Sequence, residues 1–275
     1  MILFLIFTFI PFIYGIYISL TKWDLFSDPQ FVGLANFKTI LFDADSSFYR
    51  MFWLGLKNTF IFVVFSVPLC IIVPLIIAAL LAQIKTAKNA YGSFFYIPTL
   101  FAISAVMIIF NFIFGISYGP INEWFNSNTN FLQTQPYAWI SIIAVTVWWT
   151  MGTNLIIYES AITNVSQDII ESAQIDGAGK IRIFFEIIIP NISFQLLYTT
   201  ITTTIAQFNI YGQPLMLTDG GPNESTTVLI MQIRKLAFET GYSKAGIASA
   251  MAVMLGLVIL FFSAIQIVFS RRRNK

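Results

Sequence analysis

Six stretches of this chain run for about 20 residues without a charged side chain. They lie at about 1–20, 58–82, 93–114, 138–158, 191–212 and 245–269. A helix needs roughly 20 apolar residues to cross the hydrocarbon of a bilayer. In lipid every backbone N–H and C=O must be satisfied internally, which leaves helices or closed barrels. Barrel strands read as alternating segments of about ten residues, and these runs are twice as long and continuously apolar. The expected fold is therefore an all-α polytopic membrane protein with six transmembrane helices in one domain, 1–275. Composition agrees: 57% of residues are apolar and 10% charged, against about 25% charged in a soluble domain. Pro68 and Pro74 fall inside the second run and predict a bent helix. The first run has no basic segment before it and no small-x-small site after it, so it is expected to be a retained span.

Residue types that are missing exclude much chemistry. With no histidine and one cysteine, Cys70, the chain has no Ser-His or Cys-His nucleophile, no His-ligated metal site and no internal disulfide. A formal net charge of +2 argues against a nucleic-acid partner. An ion-coupled carrier places ionisable groups within its spans, and an intramembrane protease needs paired Asp or an activated Ser there. The span centres hold none of these groups. Orientation follows from basic residues in short loops. Lys85 and Lys88 precede the third span, and Arg271, Arg272, Arg273 and Lys275 end the chain, whereas 115–137 has no Lys or Arg. Both termini and the long 159–190 loop are thus expected in the cytoplasm. Outside, 223–242 has the spacing of an amphipathic helix lying at the surface.

The 159–190 loop is the most informative segment. Ser166 is a good N-cap, and Asp168 suits a first helical turn. Ile169, Ile170, Ala173 and Ile175 follow, and Gly177 and Gly179 then break the helix. The result is a helix of two to three turns with exposed apolar residues, suited to a protein cleft or to the chain's own membrane domain. Gly179-Lys180 is no phosphate loop, because Gln174 stands where the first Gly is required and Ile181 where Ser or Thr must follow the Lys.

Glu171-Ser172-Ala173, Gly177 and Ile187-x-Ile189-Pro190, at this spacing, resemble the EAA loop of permease subunits in binding-protein-dependent ABC importers. Ser172 replaces the usual Ala and Ile189 the usual Leu. Phe31-Val32-Gly33-Leu34 with Asn36-Phe37, Gly119-Pro120-Ile121-Asn122 and Leu217-Thr218-Asp219-Gly220-Gly221-Pro222 resemble further segments of the carbohydrate branch. This branch includes maltose, glycerol-phosphate and multiple-sugar permeases. Its members usually carry a cytoplasmic segment before the first span, so an upstream start is expected. The resemblance implies a type I ABC importer permease fold in a bacterial or archaeal cell membrane. It implies a second EAA-type permease, an ATPase dimer and an external solute-binding protein as partners. It also implies no cofactor in this chain, since ATP and Mg belong to the ATPase, and no catalysis of its own. Ile170, Glu171, Ser172, Ala173, Asp176 and Gly177 would form the coupling surface.

A saccharide path needs hydrogen-bonding groups and aromatic faces. In span five Gln195, Thr199, Thr203, Gln207 and Tyr211 share one helical face. That face reads either as substrate lining or as helix–helix packing. Span four offers Thr146, Trp149, Thr150 and Thr153, with Asn154 beside them. Positions aligned with Thr146, Trp149, Thr150, Thr153, Thr203 and Gln207 contribute to the sugar site in the maltose permease, so the resemblance carries that location here. Asn111 in span three reads equally as lining or as an interhelical hydrogen bond.

Overall fold

The computed structural model describes residues 1–84, 88–239 and 244–273. Lys85 and Lys275, used above for orientation, lie outside the described residues, as do residues 240–242 of the proposed surface helix. Among the described residues four helices are long and apolar enough to cross a membrane: α1 (Ile2–Ser19), α3 (Ser47–Leu81), α7 (Tyr137–Thr163) and α13 (Ala245–Arg273). Two further spans are bent pairs, which brings the total to six if each pair is one crossing.

The third crossing combines α4 (Lys88–Tyr96), a 3-10 turn (Ile97–Leu100) and α5 (Ile103–Ile113). The two arms meet at 99°. Pro98 opens the break, and Phe101 and Ala102 adopt extended backbone, which ends the ladder of helical hydrogen bonds. The fifth combines α9 (Lys180–Asn191) with α10 (Ser193–Phe208), bent by 73° at Ile192. The span expected at 191–212 therefore ends early. At Asn209 the chain leaves the helix and then enters the short α11 (Gly212–Thr218). The second span starts earlier than expected, because Ser46 caps α3 by accepting a 3.2 Å bond from Phe48 N–H. The helix continues unbroken through Pro68 and Pro74.

Packing centres on α3 against α7, with α10 laid across α3 and α13, and α1 resting on α13. Three apolar clusters result. One joins Phe62, Met107, Ile142 and Val145. A second lies at the end holding α2 (Ala35–Phe42) and α12 (Leu229–Arg234). The third joins Leu75, Leu81, Leu155, Tyr158 and Ile192 beneath the 159–190 loop. The stretch 223–242 departs from expectation. It is helical from Leu229, and Leu229 and Leu236 are buried against the chain's own helices. Among the described residues of this stretch the apolar side turns toward α3 and α13, with Phe238 left outward.

The resemblance segments act as fasteners between loops. Asn36 donates both amide protons, at 2.8 Å, to Ser19 O and Thr21 O at the end of α1. There β1 (Thr21–Lys22) pairs antiparallel with β2 (Gln30–Phe31). Asn122, in α6 (Pro120–Trp124), donates to Gly115 O and Thr129 O, each at 3.0 Å, and accepts from Ser127 Oγ and Thr129 N. Asn58 reaches Glu224 O and Thr227 O at 2.8 and 2.9 Å. This bolts the 217–227 turn, where Asp219 and Gly220 have positive φ, onto α3. Asn111 donates to Met107 O and Met216 O at 3.1 and 2.8 Å. It is thus an interhelical tie between α5 and α11.

Candidate functional site

The loop after α7 forms α8 (Gln167–Ile175), with no buried residue along it. Ser166 occupies the N-cap position, but its side chain makes no capping hydrogen bond. The far end is closed more tightly. Ala178 N–H bonds to Ala173 O at 2.9 Å and Gly177 N–H to Gln174 O at 3.0 Å. Gly177 has φ +84 and open space around it. Together these bonds make a Schellman motif, whose C′ position requires a left-handed residue. Gly177 is thus needed for backbone conformation and not for close approach. Glu171 is exposed and accepts a 3.1 Å bond from Gln167 Nε2 one turn earlier. Ser172 and Asp176 are exposed, and Ile170 and Ala173 are half-buried. Ile175 is 87% exposed, so α8 presents apolar surface outward.

The base of α8 is rigid. On one side Tyr158, Ala161 and Ile162 of α7 are buried, and on the other Ile183, Phe184 and Ile188 of α9 pack inward. Lys180 Nζ also donates to Gln83 Oε1 at 3.0 Å, linking α9 to the end of α3. α8 is thus joined at its base to α3, α7 and α9.

The second set of candidate residues divides. Within the bundle a polar seam joins α3, α7 and α10. Asn154 donates to Cys70 O at 2.9 Å and Thr203 Oγ1 at 3.0 Å. Tyr158 Oη meets Thr199 Oγ1 at 2.6 Å. Gln207 Nε2 reaches Cys70 Sγ at 3.5 Å. Thr199, Thr203 and Gln207 are all buried, so in this conformation they join helices. Thr146 is fully buried with its hydroxyl on Ile142 O. Thr150 bonds Thr146 O. Trp149 is pinned to the bend of the third span, its indole donating to Phe101 O at 3.1 Å while its own carbonyl accepts from Thr99. Thr153 is exposed. Tyr211 stands apart, with the Arg234 guanidinium 5.4 Å over its ring. A hollow of about 320 Å³ opens there beside Asp219, Glu224 and Gln232.

The exposed side of α10 carries a different polar stripe, Tyr198, Thr202 and Asn209, with Ala206 among them. The sequence reading passed over it. The hydroxyl of Thr202 and one amide proton of Asn209 return to backbone carbonyls, Tyr198 O and Ile205 O. Polar groups on an open face at membrane depth are costly against lipid. The legible signal was this second stripe, with Tyr198, Thr202 and Ala206 at i, i+4, set about 100° round the helix from the first.

Residues 55–275 match the family described as the binding-protein-dependent transport system inner membrane component. The chain is 30% identical over 270 residues to the probable starch degradation products transport system permease protein of Thermoanaerobacterium thermosulfurigenes, covering 96% of this chain and 89% of that one. It is 31% identical over 253 residues to the sn-glycerol-3-phosphate transport system permease protein of Escherichia coli, covering 90% and 83%. The fold matches a chain of a bacterial alginate ABC transporter, solved in complex with alginate pentasaccharide-bound periplasmic protein. The TM-score is 0.82 at 22% identity, over 100% of this chain and 92% of that one. The architecture is that of a type I ABC importer permease. On the length of this match, the chain belongs to the family of inner-membrane components of binding-protein-dependent transport systems.

Proposed function

We propose that this chain forms half of the translocation path for a saccharide, and that a separate ATPase drives it through α8. An external binding protein delivers the sugar, and a second permease of the same family closes the path. The observation that carries the reading is α8 itself. It is an exposed helix with outward apolar residues and a fixed C-terminal turn, mounted on the packed ends of α3, α7 and α9. Such a helix fits a cleft in a partner, and closure of an ATPase dimer would tilt the attached spans between inward-open and outward-open states. Glu171 presents its charge to a basic group in that cleft. In this reading α8 and both termini lie in the cytoplasm, as the basic residues of the short loops support.

A saccharide is supported by the starch-product relative and by the lining chemistry. The exposed stripe Tyr198, Thr202 and Asn209, with Thr153 on α7, offers hydroxyls, an amide and an aromatic ring. The span centres hold no Lys or Arg to meet a phosphate. This favours a neutral sugar over the glycerol phosphate of the second relative. Thr203 and Gln207 would join the path only if the seam opens during the cycle.

The test is affinity purification of a tagged copy from its native membrane, followed by ATP-driven uptake in vesicles. Recovery of an ATPase, a second permease and a binding protein supports the assembly, and recovery of this chain alone from a sound extract overturns it. Glu171→Lys should insert normally and abolish uptake. Normal uptake by that variant would remove α8 from the coupling role.

A further inference from the structure

At the end of the bundle away from α8, the loop joining α5 to α7 holds three large aromatic side chains outward. Tyr118 is 85% exposed, Trp124 80% and Phe125 75%. Flexibility does not explain this. The four hydrogen bonds of Asn122 tie the loop from Gly115 to Thr129, which holds the backbone that carries the rings. The loop's own aromatic packing is done by other residues, through Phe114 on Phe131 and Phe131 on Tyr137. Among the described residues none of the three exposed rings has an aromatic partner.

The exposed apolar side of α5 runs straight into this group through Ile108, Ile109, Phe112 and Ile116. Ile108, Ile109 and Phe112 lie on a membrane-crossing helix and Ile116 follows it, so the rings continue a lipid-facing surface to its edge. Tyr and Trp have an apolar body and one polar tip, and such rings settle at the headgroup level of a bilayer. Behind them lies a hollow of about 370 Å³ lined by Ser117, Tyr118, Asn122, Glu123, Asn126 and Asn128. Its size falls within the range of small-molecule sites, about 300–1,000 Å³. Glu123 is the one charged residue between 115 and 137, so the hollow is suited to a cationic group and has no base to meet an anionic lipid.

We propose that Tyr118, Trp124 and Phe125 form an aromatic collar seated in the headgroup layer of the leaflet away from α8, and that the hollow beside it takes the headgroup of an amine-bearing phospholipid, its ammonium on Glu123. The collar sets the depth at which the bent third span sits. The amides of Asn126 and Asn128 offer the headgroup hydrogen-bonding groups.

The test is tryptophan fluorescence of the assembled importer in vesicles, taking wild type minus Trp124→Phe as the Trp124 signal. Lipids brominated near the headgroup should quench that signal about twofold more than lipids brominated near the chain end. Full quenching by aqueous acrylamide with none from either lipid overturns the collar. So does protection from all quenchers, which would mean that a protein covers it. In mixed vesicles, brominated phosphatidylethanolamine should quench more than brominated phosphatidylglycerol, and Glu123→Gln should abolish the difference. Equal quenching by the two lipids in wild type overturns the headgroup site.

Discussion

The phenol oxygen of Tyr158 lies 2.6 Å from the hydroxyl of Thr199, tying α7 to α10 beneath the loop that carries α8. Thr199 has one hydroxyl proton, which already faces Gln195 O at 2.8 Å and Leu196 O at 3.1 Å. Tyr158 must therefore be the donor. The two ends of this bond are unequal. Tyr158→Phe leaves Thr199 satisfied by its own helix, and such interhelical bonds in membranes average about 0.6 kcal/mol. Thr199→Val strands a buried phenol, at a cost of about 1–3 kcal/mol. Unfolding of the purified chain in mixed detergent should rank Thr199→Val as the less stable variant. The reverse order would mean that the proton assignment is wrong.

Gly177 and Gly179 both have open space where a Cβ would go, and only Gly177 has positive φ. Gly177→Ala should cost about 1 kcal/mol of local conformational strain and misplace the C-terminal end of α8. Gly179→Ala, at the N-cap of α9, should cost less than that and leave the turn in place. ATP-driven uptake should fall several-fold in the first variant at unchanged membrane abundance. Equal uptake in the two would show that the Schellman turn plays no part in coupling.

In a chain whose native Cys70 is replaced by Ser, a cysteine at position 202 should react with a membrane-impermeant thiol reagent more than tenfold faster than one at 203. Thr202 is on the open side of α10, whereas Thr203 is buried against Asn154. Reactivity is set by thiolate exposure. If 203 becomes reactive only when ATP is trapped in the partner, the polar seam opens during the cycle. Equal, high reactivity at both positions in the resting chain would contradict the packing described here.

The six crossings were visible in the sequence because an apolar run of about 20 residues has few other uses. Gly177 was visible because helix ends need a residue that tolerates positive φ. The breaks at Phe101–Ala102 and at Ile192 were not visible, since apolar length is continuous across them and only Pro98 and Pro190 hint at a turn. The inward side of α10 kept two readings, lining and packing, for a physical reason. Residues 199–204 read Thr-Thr-Ile-Thr-Thr-Thr, so hydroxyls point both ways and periodicity cannot tell seam from open face. Hydroxyls that bond back to their own helix, as at Thr199, Thr200, Thr202 and Thr204, are tolerated on either side.

Asp24 provides a pH prediction outside the membrane. Its carboxylate accepts from Ser27 N at 2.8 Å, Ser27 Oγ at 2.7 Å and Phe26 N at 3.0 Å. These bonds, Ser27 N–H first, lower its pKa from 3.8 to about 2. The folded value lies below the unfolded one, so the contribution is fully present above the ordinary carboxylate range and is lost as pH falls through about 2. The same turn receives the indole of Trp23 on Ser27 O at 2.6 Å. The carboxyl carbon shift of Asp24 should titrate near the lower value in wild type and move upward in Ser27→Ala. A midpoint near 3.8 in both proteins would show that the turn is not held in solution.

The asparagine fasteners expose this protein to a particular kind of ageing. Asn36, Asn58 and Asn122 each spend both protons of one amide on two carbonyl oxygens. Deamidation would replace that donor pair with a carboxylate facing two oxygens at about the same distance, turning attraction into repulsion without changing the side chain's size. One slow hydrolysis in an old or heated preparation would thus loosen a whole loop while leaving every span intact. Such molecules would remain in the membrane, correctly folded through the bilayer, with the loops at one end of the bundle no longer held to the helices.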